Sequence, residues 1–326
     1  MMDYRRFINE IYKVLLLREA DPSGLEAYSK LFEEKEFDEA IIILLDSIVR
    51  SEEFFRVYTE NIQPIFSEDP YSDYKKPCYI IIHIPKTAGI TLRTALYNVF
   101  KDEIYPIPMG FHSQTIIKYP LDFFLRYRFI MGHVDYDFVN ILPRERKFLI
   151  TFLRDPINRL WSAYNFWKSI DYKSLSSNHI NYEFLKDVNE LSIKEFFAKY
   201  KDSIWNEMSR YILGHTLFFK IKSEYFQIDP KERKFYLKYY VRPIIKDRLN
   251  EFFFIGLQED YERSVKSLIR KLGGEPLEEI PKENVTKKKE KLTEDIRKLL
   301  KKFVEIDNIV YEEGKKLYYE KFVEEV

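Results

Sequence analysis

The fold of this chain is predicted by an apolar run and the loop that follows it, Cys78-Tyr79-Ile80-Ile81-Ile82-His83-Ile84 and then Pro85-Lys86-Thr87-Ala88-Gly89-Ile90-Thr91-Leu92. A short apolar run rich in β-branched residues is typical of a central strand in a parallel sheet. The residues from Leu92 to Phe100 have a helical pattern. A strand, a short loop with a lysine and a helix N-terminus predict an anion site, because backbone N–H groups and the helix dipole converge there.

This loop differs from the Walker A loop that wraps nucleoside triphosphates. A Walker A loop would place glycines at positions 80 and 85, ahead of the Lys86-Thr87 pair. The chain has Ile80 and Pro85 instead, so the loop is too short and too stiff for that task. A P-loop-like, nucleotide-dependent kinase is therefore the second interpretation. An ordinary strand-to-helix turn is the structural alternative.

Further apolar runs, at 147–153 and 252–257, predict additional strands, and another ends at Gly132. Arg154 and His133 each follow a strand end, and ligands of open α/β sheets bind outside the carboxyl ends of strands. Ser162 lies about two turns down the helix that Pro156 begins. We predict an α/β fold with a P-loop-like central parallel sheet flanked by helices, preceded by a small all-α module.

The first 60 residues differ from the rest in charge. They contain 8 basic and 14 acidic side chains, a net of −6, whereas the other 266 residues contain 45 and 39, a net of +6. Helical patterns cover 4–17, the residues after Asp21-Pro22, and 37–49, and Ser51 is a candidate N-cap. We predict an acidic helical module at 1–60, a linker at 61–77 and a second domain at 78–326.

Composition excludes several classes of protein. The 326 residues hold 53 Lys+Arg and 53 Asp+Glu, and a zero net charge argues against a dedicated nucleic-acid-binding protein. Cys78 is the single cysteine, which excludes intrachain disulfides and a multi-cysteine zinc site. The longest apolar run, 40–45, is far short of the ~20 residues that span a bilayer, and no signal peptide is evident. We expect a cytoplasmic protein without a transmembrane segment.

Four stretches together resemble one enzyme family. They are 83–89 (HIPKTAG), 153–164 (LRDPINRLWSAY), 206–214 (NEMSRYILG) and 254–259 (FIGLQE). In type and order they resemble the carbohydrate sulfotransferases of the heparan-sulfate 2-O-sulfotransferase type, over residues 78–320. The N-terminal module resembles the bacterial domain-of-unknown-function family 4214, which implies a bacterial source and no catalytic residue.

The sulfotransferase resemblance implies a donor, an acceptor class and a set of roles. The donor would be 3′-phosphoadenosine 5′-phosphosulfate (PAPS), the acceptor a hydroxyl of a glycan or glycan precursor, and no metal would be required. Arg154 and Ser162 would take the 3′-phosphate of the donor. The donor loop would be formed by Lys86, Thr87, Ala88, Gly89, Ile90 and Thr91.

Sulfuryl transfer requires a base for the acceptor hydroxyl and a positive group at the leaving phosphate. His133 matches the Gly-His of the family's catalytic segment and is the predicted general base, and Lys86 is predicted to stabilise the leaving phosphate. Heparan members often read His-Gly-His there, whereas this chain has Met131 at the first position. His133 can act as a general base only when its imidazole is neutral. The rate of sulfuryl transfer should therefore rise with pH through a pKa of about 6.5.

The other histidines have structural interpretations. We expect His83 to be a hydrogen-bonded core residue and His112, His179 and His215 to be surface residues. Arg159 is interpreted as a solvated or structural helix residue, with a secondary phosphate contact as the alternative.

The sequence leaves several points open. Lysines 287–289 either cover the nucleotide or belong to a solvated linker, and Arg210 either contacts an acidic acceptor or forms a buried salt bridge. A catalytically silent nucleotide- or glycan-binding protein is a third functional hypothesis. The oligomeric state and the identity of the acceptor have no readable signal.

Overall fold

The computed structural model describes residues 3–49, 51–57, 77–100, 104–106, 128–142, 145–176, 179, 181–280 and 291–322. It divides into two compact units, Met1–Tyr74 and Lys75–Val326. The predicted linker, apart from Pro77, lies outside the described residues. The larger unit has a central parallel sheet flanked by helices and the smaller one is helical, so the predicted fold class is confirmed.

The smaller unit contains helices α1 (Tyr4–Leu16), α2 (Pro22–Glu34), α3 (Phe37–Val49) and α4 (Glu52–Val57). Side-chain caps begin three of them, because Asp3 accepts from Arg6 N, Asp21 accepts from Gly24 N, and Ser51, the predicted N-cap, accepts from Phe54 N. The inward faces supply an apolar core formed by Ile8, Tyr12, Leu16, Phe32, Ala40, Leu44 and Ile48. The apolar stripes of the sequence therefore form the core of this unit.

The sheet of the larger unit has the order β2-β3-β1-β4-β5, and each neighbouring pair is parallel. Its strands are β1 (Cys78–Ile82), β2 (Ile104–Pro106), β3 (Phe129–Gly132), β4 (Lys147–Leu153) and β5 (Phe252–Leu257). From β1 the chain turns to the β2–β3 side, and from β4 it turns to the β5 side. This divergence opens a crevice at the carboxyl ends of β1 and β4, the usual place for a ligand in such sheets.

Helices cover the sheet and extend beyond it. They are α5 (Gly89–Phe100), α6 (Tyr136–Ile141), α7 (Pro156–Lys168), α8 (Tyr182–Glu190), α9 (Ile193–Lys199), α10 (Lys201–Ile204), α11 (Glu207–Leu213), α12 (His215–Gln227), α13 (Arg233–Tyr236), α14 (Arg242–Asn250), α15 (Tyr261–Lys271), α16 (Glu294–Leu300) and α17 (Glu305–Leu317). A π-helical segment, Leu237–Val241, joins α13 to α14, and another, Tyr318–Phe322, follows α17. The strands are buried on both faces, as fully covered Ile80, Ile130 and Phe254 show.

The sequence of 293–319 has an amphipathic pattern, with Ile296, Leu299, Phe303, Ile306 and Val310 on one side, that predicts one long helix. This prediction is wrong, because the stretch forms two helices. The chain breaks between α16 and α17, where Val304 has φ −132°. At that break the side-chain Oδ1 of Asn206 accepts from Ile306 N at 2.8 Å and from Asp307 N at 3.0 Å. An inserted amide that satisfies the first N–H groups of α17 gives the break its physical cause.

In the part of the chain that the structure describes, every helix is too short or too polar to cross a membrane.

Candidate active site

The loop between β1 and α5 has an unusual backbone. Lys86 and Ala88 have positive φ values, 70° and 69°, with Thr87 between them at negative φ. Residues of alternating handedness turn successive N–H groups toward one point and form an anion-binding concavity. Residues other than glycine are strained at positive φ, and such backbone strain is characteristic of functional loops. The loop is held by Thr87, whose Oγ1 donates to Ile84 O at 2.8 Å.

Arg154 lies against this loop from the end of β4. Its Nη1 donates to the carbonyl oxygen of Lys86 at 3.0 Å. Its Nε is buried and has no hydrogen-bond partner within the described ranges. Burial lowers the pKa of Arg154, although a guanidinium stays charged at any physiological pH. The crevice therefore contains a fixed positive charge, and its guanidinium has an N–H group that can still donate a hydrogen bond.

Lys86 and Ser162 approach the same crevice from opposite sides. The Nζ of Lys86 lies 4.2 Å from the ring centroid of Phe166 on α7. Ser162 is half-buried and precedes Phe166 by four residues, so the two side chains share one face of α7. That face is directed at the loop. The structure thus brings Lys86, Arg154 and Ser162 to one place.

His133, just after β3, has a defined orientation. Its Nδ1 lies 2.8 Å from the carbonyl oxygen of His83, which can only accept, so Nδ1 bears the proton of the neutral ring. In this tautomer the ring lone pair is on Nε2, the atom that a general base would use to accept a proton. His83 N also donates to Gly132 O at 2.9 Å. The backbone of His83 therefore ties the donor loop to the predicted base.

The side chain of His83 supports the same arrangement. The rings of His83 and His133 stack with centroids 4.5 Å apart. Burial, reinforced by the positive fields of His133, Arg93 and Lys86, lowers the pKa of His83 to about 3, so this imidazole stays neutral. A Cβ at position 89 would lie 1.9 Å from Nε2 of His83, so the ring occupies space that Gly89 leaves open. Sequence reasoning gave His83 only a core role and missed this contact.

The predicted donor-loop residues fall into two groups. Lys86, Thr87 and Ala88 form the turn, and Gly89, Ile90 and Thr91 form the first turn of α5. The OH of Tyr261 donates to Ala88 O at 3.4 Å, a contact that no sequence pattern indicated. Beside the loop, a small concavity is lined by His83, Gly89, Ile90, Arg93, Met131, Gly132 and His133.

Arg159 is a structural residue, because its side chain is completely buried in a polar network. Its Nη1 donates to Glu207 Oε2 at 2.8 Å, and its Nη2 lies 3.8 Å from Asp307 Oδ2. The Asp307 carboxylate also accepts from Ser209 N at 2.7 Å and from Ser209 Oγ at 2.6 Å. The network joins α7 and the segment 206–213 to α17.

Asp155, the carboxylate that the kinase interpretation would use for magnesium, begins α7. Its Oδ1 accepts from Asn158 N at 2.8 Å. Within the described ranges, no group of three or more His, Cys, Asp or Glu side chains is placed to hold a metal ion. The predicted contacts of lysines 287–289, and the position of His112, lie outside the described residues. Arg210 lies 3.9 Å from Glu207 and is partly exposed.

The fold and the loop define a class: a parallel α/β protein with an anion-binding turn and two cationic side chains at the switch point of its sheet. Residues 77–323 match the model of a family described as the sulfotransferase family. Because this match covers most of the chain, the chain belongs to the sulfotransferase family, and its class of activity is sulfotransfer. A search of curated proteins finds no match.

Proposed function

We propose that this protein transfers a sulfuryl group from PAPS to a hydroxyl of a glycan or glycan precursor, as the heparan-sulfate 2-O-sulfotransferases that it resembles do. The observation that carries the proposal is the loop at 85–89 with Arg154 bound to its backbone. Alternating φ values, a lysine and a buried guanidinium fit a donor that bears phosphate groups at both ends of its ribose. The donor supplies an activated sulfuryl group when it is bound.

Three residues share the binding of the donor. Lys86 and the loop N–H groups bind the phosphosulfate and oppose the negative charge that develops on the leaving phosphate. Arg154 and Ser162 bind the 3′-phosphate. The guanidinium of Arg154 has an N–H group that can still donate a hydrogen bond. Fixing both ends of the nucleotide positions the sulfur in line with the acceptor oxygen.

His133 removes the acceptor proton. The Nε2 of the neutral ring accepts the proton of the hydroxyl as the acceptor oxygen forms its bond to sulfur. The bond between sulfur and the phosphate oxygen breaks on the opposite side, and the electron pair stays on that oxygen. The carbonyl of His83 fixes the ring throughout, because it holds the Nδ1 proton at 2.8 Å.

A carbohydrate acceptor is supported by a cavity of about 320 Å³ near the base. Trp205, Phe218 and Phe219 provide apolar walls, and Glu207, Arg210 and Lys222 provide hydrogen-bonding groups. Apolar walls with a few convergent polar groups are typical of small-molecule sites. Tyr211 on the same helix, α11, has its ring 6.4 Å from that of His133. Helix α11 therefore contributes residues both to the cavity and to the surroundings of His133.

The test is transfer of labelled sulfate from PAPS, together with binding of adenosine 3′,5′-bisphosphate by calorimetry. We expect the wild type to bind the bisphosphate, Lys86→Ala to lose binding and turnover, and His133→Ala to lose turnover alone. Exposed Lys194→Ala and His179→Ala are the matched controls and should behave as the wild type. A folded wild type that fails to bind the bisphosphate would exclude the proposal. Turnover with ATP and magnesium would favour the kinase alternative.

A further inference from the structure

A surface outside the crevice exposes aromatic rings on one helical segment. Phe235, Tyr239 and Tyr240 are 57%, 53% and 60% exposed, although large apolar side chains are normally covered. Their rings are in contact, since Phe235 lies 4.4 Å from Tyr239 and 6.4 Å from Tyr240. We name this the aromatic–basic surface and define it by Lys234, Phe235, Lys238, Tyr239, Tyr240, Ile244 and Lys246.

The helix geometry directs these rings outward. Val241, Ile245 and Leu249 recur every four residues and are fully buried against the core, so the segment is anchored by its inner stripe. The π-helical segment Leu237–Val241, which contains Val241 of that stripe, adds a residue to the turn. As a result Lys238, Tyr239 and Tyr240 are all exposed in succession. The exposure is a property of a well-anchored helix, not of a frayed end.

The rings are surrounded by positive charge. Residues 231–248 contain seven Lys or Arg and two Asp or Glu, a net of +5 in a chain whose total is zero. Arg242 is neutralised by Glu312 and Glu313, at 2.7 and 2.5 Å. By contrast, Lys234, Lys238 and Lys246 are exposed and form no ion pair with a carboxylate in the described part of the chain.

We propose that the aromatic–basic surface binds the surface of an anionic lipid bilayer. Tyrosine side chains are stable at the level of the lipid headgroups, because the ring contacts apolar groups there while the hydroxyl contacts water. Anionic headgroups attract the lysines on the same helix. Each lysine near the bilayer surface raises the affinity for the bilayer about fivefold. A basic amphipathic helix with exposed aromatics is typical of attachment to a membrane surface without spanning it. This binding requires no sulfotransfer and is independent of the proposed function.

The test is flotation of the full chain with vesicles of phosphatidylcholine and phosphatidylglycerol in equal parts, and with vesicles of phosphatidylcholine alone. We expect the wild type to float only with the anionic vesicles, and less at high salt. The variant Lys234→Glu/Lys238→Glu should bind at least tenfold more weakly, and Tyr239→Ser/Tyr240→Ser should also lose binding. The controls are Lys194→Glu and Tyr97→Ser, which change an exposed lysine and a 52% exposed tyrosine elsewhere and should float as the wild type.

Three results would overturn the proposal. The first is a wild type that stays with the soluble fraction in the presence of anionic vesicles. The second is equal flotation of the two double variants and the wild type. The third is self-association of the wild type, measured by sedimentation, that the tyrosine variant abolishes while vesicle binding is absent; the surface would then be an interface between copies of the chain. Thermal unfolding of each variant shows that it is folded.

Discussion

The guanidinium of Arg154 donates to the carbonyl oxygen of Lys86 at 3.0 Å, across the crevice between β4 and β1. This bond joins the two cationic residues through the backbone of one and the side chain of the other. It uses the backbone carbonyl of Lys86 and not its ammonium, and it fixes the position of the guanidinium. The spacing of the two charges is therefore set by the fold and not by the ligand.

Replacement of Arg154 by lysine should weaken donor binding while keeping the charge. One ammonium cannot both bind the Lys86 carbonyl and present a planar pair of donors to a phosphate. We expect the Kd for adenosine 3′,5′-bisphosphate to rise about tenfold or more, as for loss of a charge-assisted hydrogen bond. Calorimetric titration measures it, with exposed Arg270→Lys as the control. An unchanged Kd would show that Arg154 serves the loop alone.

The orientation of His133 can be separated from its base chemistry with two amides. The side-chain nitrogen of an asparagine at position 133 can still donate to the carbonyl of His83, whereas a glutamine reaches toward the Nε2 position. Both His133→Asn and His133→Gln should lose about 10²- to 10⁴-fold in kcat, the usual range for a general base. Only the glutamine variant should also lose stability in urea. Substantial turnover by the asparagine variant would contradict a base at Nε2.

The lowered pKa of His83 predicts a pH-dependent stability. The folded-state pKa is about 3 and an unfolded histidine titrates near ~6.5, so between these values the unfolded chain binds the extra proton. The neutral His83 ring makes its full contribution to the free energy of unfolding above pH ~6.5. This contribution is lost as pH falls toward 3, at up to about 1.4 kcal/mol per pH unit. Urea unfolding of His83→Asn between pH 7 and 4 should show a shallower loss than the wild type. His179→Asn, at an exposed site, should retain the wild-type slope; equal slopes for all three proteins would refute the assignment.

Removal of the buried cation of the polar network should destabilise the larger unit. Arg159→Met leaves the fully buried carboxylate of Asp307 and the partly buried carboxylate of Glu207 without their cation. We expect a loss of about 3–5 kcal/mol in the free energy of unfolding, the range for breaking a buried pair. Arg270→Met on the surface is the matched control. If the folded fraction binds adenosine 3′,5′-bisphosphate as the wild type does, a phosphate contact by Arg159 is excluded.

The strands that sequence predicted best are those with long apolar runs. β4 and β5 begin and end at the predicted residues because each is a continuous run, buried on both faces and bounded by polar side chains. The strand β2 (Ile104–Pro106) has three residues and no such run, so no pattern indicated it. Residues that follow strand ends, Arg154 and His133, were placed correctly at the carboxyl edge of the sheet for the same reason.

The contact between His83 and His133 could not be predicted, because it depends on register. Ile82 pairs with Gly132 across β1 and β3, which sets the next residues of both strands side by side. Two featureless apolar runs do not encode which positions pair, since a shift along the strand leaves the pattern nearly unchanged. The break between α16 and α17 was missed for a related reason: it depends on Asn206, a residue about 100 positions earlier.

The buried network has a consequence for the order in which the protein is made. Asn206 and Ser209 form hydrogen bonds with Phe303, Ile306 and Asp307, which lie about 100 positions later in the chain. During synthesis the segment 206–213 therefore stays unfinished until the ribosome has added about 100 further residues. Contacts of such long range slow folding, because the loop must close before they are made. A nascent chain stalled or truncated before residue 303 would expose polar groups that the finished protein conceals.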